Sequence, residues 1–122
     1  MIILALQYYQ IETIKYLFTI NFMTTVVNIK TDEYDVLISR PSKWGNPYTH
    51  IKDKNTQAEF IVSSRKEAID KYREYILNSP DLLNDLHELK GKRLGCFCKP
   101  KSCHGDILVE LIEKPKLPSF SF

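Results

Sequence analysis

Cys96, Cys98, Cys103 and His104 fall within nine residues, in the run Arg93-Leu-Gly-Cys-Phe-Cys-Lys-Pro-Lys-Ser-Cys-His-Gly-Asp106, and all three cysteines of the chain are there. Two chemistries suit that set. The first is a site at a helix start. Ser102 to Asp106 precede an apolar run (Ile107, Leu108, Leu111, Ile112), and the backbone N–H groups and dipole of a helix N-terminus favour an anion such as phosphate. The same field favours a Cys103 thiolate. It disfavours a charged His104, which leaves that ring free to act as a neutral donor or acid/base. Cys103, His104 and Asp106 are therefore the candidates for catalysis, and Cys98 and Gly105 for ligand binding. Asp106 can instead cap the helix. The second chemistry is zinc. Cys96, Cys98, Cys103 and His104 match a structural ligand set in type, but not in spacing. Cys96 and Cys98 would sit about 6.5 Å apart along one face of a strand, and buried cysteine also serves as a small hydrophobe. No cofactor is the primary expectation, with zinc as the alternative.

The second polar cluster is Arg40-Pro-Ser-Lys-Trp-Gly-Asn-Pro47. Two prolines, a glycine and an asparagine make it an ordered loop. Arg40 offers a bidentate fork to phosphate or carboxylate, with Lys43 and Ser42 beside it. Asn46 can read a donor/acceptor edge. Trp44, between Lys43 and the Gly45 to Pro47 turn, either stacks on a base or sugar or plugs the core. His50 and His87 read as a loop and a helix-face residue.

These clusters need elements to hold them. Thr25 to Ile29, Tyr34 to Ser39 and Arg93 to Cys98 are β-rich and read as strands. Glu59 to Val62 reads as a short extended piece after a polar stretch at 50–57. Ser64-Arg-Lys-Glu67 is a capping box that opens a helix to about Leu77, with Ala68, Tyr72, Tyr75 and Ile76 on one face. Ser79 as N-cap and Pro80 at the first helical position start a second helix. Its stripe is Leu82, Leu83, Leu86 and Leu89, and Gly91 ends it. The last helix begins at Cys103 or His104 and reaches about Lys114. Strands alternating with helices argue α/β, and the expected architecture is a small Rossmann-like three-layer domain with a mostly parallel sheet and a right-handed crossover. Ligand sites in such folds lie at the carboxyl ends of the strands, where both polar clusters are expected.

The bulk numbers narrow the classes. A chain of 122 residues, 43% hydrophobic and 26% charged, suits one soluble domain. A net charge of +2 does not argue for nucleic acid, but Lys90, Lys92, Arg93, Lys99 and Lys101 make the cysteine run locally basic. Three cysteines exclude a fully paired disulfide framework and favour a reducing cytoplasm. Residues 1–22 are apolar but interrupted by Gln7, Gln10, Glu12, Thr13, Lys15 and Asn21, so neither a membrane span nor a signal peptide is expected. They are assigned to an N-terminal extension, residues 23–114 to the α/β domain and residues 115–122 to a tail.

Arg-Pro-Ser-Lys-Trp-Gly-Asn-Pro-Tyr at 40–48, Lys-Tyr-Arg-Glu-Tyr-Ile at 71–76 and the Gly91 to Leu108 run together resemble the domain of unknown function 4326 family. Its members are small proteins of bacteria, phages and large DNA viruses. The resemblance spans residues 23 to 113 and implies the host cytoplasm as the location for a viral member, but no reaction. The Cys-His-Gly-Asp turn is also similar to the Cys-His-Arg turn of another α/β family, domain of unknown function 488, a likeness of fold alone. Asp106 stands where that arginine-bearing turn continues, so a phosphatase-like Cys-x5-Arg loop is not supported. The expected function is binding of a nucleotide or other phosphorylated small molecule between the two loops, with hydrolysis or transfer as the chemistry if it is an enzyme. The alternatives are a zinc-stabilised binding module and a nucleic-acid or protein adaptor.

Overall fold

The computed structural model describes residues 23–53 and 55–113. The expected extension at 1–22 and tail at 115–122 lie outside the described residues. The elements run β1 (Thr25–Asn28), β2 (Val36–Leu37), β3 (Tyr48–Thr49), β4 (Phe60–Ile61), α1 (Arg65–Leu77), α2 (Pro80–Asp85), a 3-10 turn (Leu86–Leu89), β5 (Arg93–Cys96) and α3 (His104–Glu113). This is a small α/β domain. Its main sheet has the order β1-β5-β2 and is parallel throughout, with Val26 and Val36 both in register with Leu94.

Strand alternation puts Val26, Leu94, Cys96, Val36 and Ile38 on one face. That face carries the core. Ile38, Leu94 and Cys96 are buried in one cluster with Tyr72 and Ile76 of α1, Leu89, and Ile107 and Leu108 of α3. At the other end of the sheet, Arg93 clamps β2 to β5. Asp35 accepts from the Arg93 backbone N–H at 2.8 Å and from its guanidinium at 3.0 and 3.1 Å, which holds the Asp35 carboxyl down to about 2.

The capping box at α1 works with a shift of one residue. Ser64 Oγ accepts from Glu67 N at 3.1 Å as expected, but the Glu67 carboxylate accepts from the backbone N–H and hydroxyl of Ser63, not from Ser64. The second helix starts at Pro80 as expected, yet Ser79 does not cap it. Its hydroxyl donates back to Tyr75 O at 2.6 Å. Gly91 ends this segment at φ 74°, in the left-handed region that glycine adopts without steric cost. The third expected strand stops at Cys96, two residues early, so Cys98 lies in a loop. A short ladder not foreseen from the sequence pairs β3 with β4 in parallel, Tyr48 with Phe60 and Thr49 with Ile61. The two rings stack at 5.1 Å.

Candidate functional site

A cavity of about 400 Å³ opens at the carboxyl ends of the parallel strands, where the fold class places ligands. Four segments build its wall. Ser39 and Arg40 continue from β2, and Asn46 closes their loop. Tyr48 to Ile51, Asp53, Thr56 and Gln57 come from β3 and the residues after it. Arg65, Ala68 and Ile69 come from the first turns of α1. Cys96 to Cys98 and Ser102 to His104 come from the end of β5 and the start of α3. The amino ends of two helices therefore meet at this cavity, and each presents a positive dipole end.

Of the residues expected at a site, the structure brings Arg40, Asn46, Cys96, Cys98, Cys103 and His104 onto this wall. Arg40 is fixed by a 2.8 Å bond from Nη1 to Asn46 O. Gly45 lets that loop close, because a Cβ there would lie 3.0 Å from the backbone N and Cα of Arg40. Asn46 is 8% exposed, and both ends of its amide are engaged within the protein. Nδ2 donates to Ala68 O at 3.0 Å and Oδ1 accepts from Tyr48 N at 2.9 Å, so Asn46 ties the Arg40 loop to α1 and β3.

The remaining expected residues stand off the wall. Trp44 is buried in the core, and its carbonyl accepts from Tyr72 Oη at 2.6 Å. Desolvation raises the Tyr72 phenol well above its ordinary range, so it stays a donor. Lys43 sits 5.2 Å from the centre of the Trp44 ring and bonds Asp85 and Glu88 at 3.0 and 2.9 Å. Ser42 and Gly45 form successive turns of the loop, and Pro47 accepts from Glu59 N and Phe60 N, which attaches the loop to β4. Gly105 is buried where α3 crosses the sheet. A Cβ on it would come within 2.8 Å of Ile38 Cδ1 and 3.0 Å of both Val26 methyls. Asp106 closes the start of α3, with Oδ2 accepting from Cys103 N at 3.1 Å and Oδ1 from Lys99 Nζ at 2.7 Å. Asn28 Nδ2 holds Lys99 O at 2.7 Å. The loop from Cys98 to Cys103 is thus pinned at both ends.

Several wall residues carry no motif in the sequence. Arg65 is the most informative. It donates to Ser102 O at 3.2 Å, and its charge pushes the Cys98 thiol down. A cation at the first position of a helix opposes the helix dipole, and such a local conflict is the sign by which the sequence could have singled it out. Ser39 offers a second polar group, a buried hydroxyl on the wall without a partner among the described residues.

The titratable groups follow from burial. His104 is 9% exposed, and its Nε2 lies 2.7 Å from Ile38 O. A carbonyl only accepts, so Nε2 carries the proton and Nδ1 is the basic nitrogen of the neutral ring. The Tyr72 ring meets it edge-on at 4.9 Å. Desolvation lowers the His104 pKa below 6.5, with Arg40 adding to the shift and the Ile38 bond opposing it. A group depressed in the folded state stabilises the fold fully above its unfolded pKa, and that contribution fades as pH falls below about 6.5. Urea midpoints of wild type and His104→Asn, compared at pH 7 and pH 5, are expected to show a larger drop for wild type. Equal drops would mean that His104 is free to charge.

The sulfurs converge although only Cys96 lies in a strand. Cys103 Sγ is 3.5 Å from Cys96 Sγ, and Cys98 packs against the same cluster. The neighbouring Cys96 and Cys98 sulfurs, with burial, push the Cys103 thiol up, whereas Cys103 and then Arg65 push Cys98 down. Cys103 has a single proton, so it cannot stabilise Cys96 and Cys98 as thiolates together. Cys98 has the guanidinium besides and is the better thiolate. Among the described residues no group of three or more His, Cys, Asp or Glu side chains is arranged to hold a metal ion, and His104 turns its Nε2 to a carbonyl. No described helix is long and apolar enough to cross a membrane.

With this geometry in hand, the comparisons place the chain. Residues 24–114 match the family model described as Domain of unknown function (DUF4326). An "Uncharacterized 12.4 kDa protein in nrdA-td intergenic region" of Enterobacteria phage T4 is 36% identical over 89 residues, covering 73% of this chain and 77% of that protein. "Uncharacterized protein R718" of Acanthamoeba polyphaga mimivirus is 40% identical over 78 residues, covering 57% of this chain and 52% of that protein. No solved structure matches the chain. The matched span contains every residue of the cavity wall, and the chain belongs to the DUF4326 family.

Proposed function

We propose that this protein binds a nucleotide or another phosphorylated small molecule in the cavity between the Arg40–Asn46 loop and the Cys96–His104 segment. One observation carries the reading. Two guanidinium groups, Arg40 and Arg65, face a cavity of about 400 Å³ at which two helix amino ends meet. Charge-assisted bonds from arginine and the helix dipoles both favour an anionic group. The volume lies within the roughly 300–1,000 Å³ of small-molecule sites. The Ser39 hydroxyl is available to a ligand oxygen, and Tyr48 and Phe97 supply apolar area for a base or sugar. Asn46 acts by positioning Arg40. For a hydrolytic or transfer reaction, the groups on the wall are Cys98 and the Nδ1 nitrogen of His104. The cysteines are free thiols, which fits a reducing compartment such as the cytoplasm.

Thermal unfolding with a panel of nucleotides and sugar phosphates, each beside its dephosphorylated counterpart, tests this. At a ligand concentration one hundred times Kd, binding stabilises the fold by about 2.7 kcal/mol. A saturable rise in Tm with at least one phosphorylated compound, absent for its counterpart, is expected. No rise with any compound at millimolar concentration would overturn the reading.

A further inference from the structure

The pocket holds more sulfur than anion binding requires. Cys96, Cys98 and Cys103 all reach its wall, where Cys103 Sγ lies 3.5 Å from Cys96 Sγ and Cys98 packs against the same cluster. Their surroundings differ. Cys96 is 1% exposed and Cys103 is 2% exposed, so neither meets a dissolved oxidant. Cys98 is half-buried at the mouth of the loop, next to the exposed ring of Phe97, and Arg65 brings its guanidinium to the same turn, donating to Ser102 O at 3.2 Å. A guanidinium beside an accessible sulfur is the setting in which cysteines become reactive. The two sulfurs belong to one short turn, in which Lys101 N bonds Cys98 O at 2.8 Å. This turn brings Cys103 back to Cys98 across four intervening residues.

We propose that Cys98 and Cys103 form a peroxide-reactive dithiol in the pocket wall, with Cys98 as the attacking thiol and Cys103 as the resolving one. The Cys98 thiolate attacks one oxygen of hydrogen peroxide. The S–O bond forms, the O–O bond breaks, and the departing hydroxide takes up a proton to leave as water. Cys98 is now a sulfenic acid, oxidised by two electrons. Cys103, giving up its proton, then attacks the Cys98 sulfur. The disulfide forms and the hydroxyl leaves as a second water. Two thiols and one peroxide become one disulfide and two waters. A thiol reductant reverses the change. Cys96 keeps its place in the core and takes no part. This site is independent of whether the pocket binds a nucleotide.

The test uses the intact chain, assayed first for metal and then treated with a small molar excess of hydrogen peroxide. Intact mass is expected to fall by two hydrogens and to recover with dithiothreitol. Peptide mapping is expected to join Cys98 to Cys103. Cys96→Ser should behave as wild type and Cys98→Ser should not react. Cys103→Ser should stop at a Cys98 sulfenic acid that dimedone traps. Arg65→Met should slow the first step by about tenfold, since it removes the cation that favours the thiolate. Should Cys103→Ser fail to fold, the wild-type map and Cys98→Ser decide the matter alone. A chain that keeps three reduced thiols, gains only oxygen atoms, or joins Cys96 instead would overturn the proposal. So would stoichiometric zinc held by the thiols in the protein as purified.

Discussion

Trp44→Ala is expected to remove about 3–5 kcal/mol of folding stability, a large share of the roughly 5–15 kcal/mol that a domain has. The indole is 2% exposed and packs in the cluster of Ile38, Tyr72 and Leu108. It also fixes the backbone carbonyl that receives Tyr72 Oη at 2.6 Å. Truncation leaves a large cavity beside a buried phenol, and the surrounding helix cannot collapse to fill it without breaking that bond. Urea unfolding followed by circular dichroism checks this. The midpoint should fall steeply, with an unchanged slope where a transition is still visible. A loss below about 1 kcal/mol, with the protein folded and its ligand affinity gone, would return Trp44 to the stacking role that its loop also allows.

Arg65→Ala is expected to weaken binding of a phosphorylated ligand by about 10- to 100-fold. A hydrogen bond to a charged group contributes about 1.5–3 kcal/mol, and each 1.4 kcal/mol is tenfold in affinity. Arg40→Ala should act as strongly, with an added effect on loop order because its guanidinium also holds Asn46 O. Arg65→Lys should restore only part of the loss, since an ammonium lacks the fork. Lys71→Ala removes a cation of the same helix that pairs with Glu74 and lies outside the cavity wall. It should leave affinity unchanged. Isothermal titration of each variant checks the series. Equal affinity for Arg65→Ala and wild type would remove the guanidinium from the site.

Much of this arrangement was legible in the residues, and the misses have physical causes. The helix from Arg65 to Leu77 was readable because a cap, an apolar period and a stop agree with one another. The strand into Cys96 was readable from its β-rich run, but its end was not, because Phe97 and Cys98 have strand-forming side chains and only the Lys99-Pro100 turn after them ends the ladder. That difference decides where Cys98 lies, since it leaves the strand register and enters the turn that leads to Cys103. Trp44 was ambiguous because the same Gly/Pro loop could present a ring outward or fold it inward. The Tyr72 hydroxyl, twenty-eight residues away in the chain, settles the direction, and no local pattern carries that contact. The part of the wall from Tyr48 to Ile51, with Asp53, Thr56 and Gln57, was invisible for a similar reason. Its two-residue strands pair with each other across a polar stretch, too short for periodicity to register. Arg65 was visible only as one charge in a capping box, although its position against the helix dipole was the available sign.

The most direct test of the central claim is a 1H–15N NMR titration of the intact chain with the best-binding phosphorylated compound from the unfolding panel. Amide shifts centred on Ser39–Arg40, Thr49–Ile51, Arg65 and Cys98–His104, saturating with one common Kd and absent with the dephosphorylated counterpart, are the predicted result. Saturable shifts centred elsewhere, as on the Arg93–Asp35 end of the sheet, or no shifts at millimolar ligand, would contradict the account.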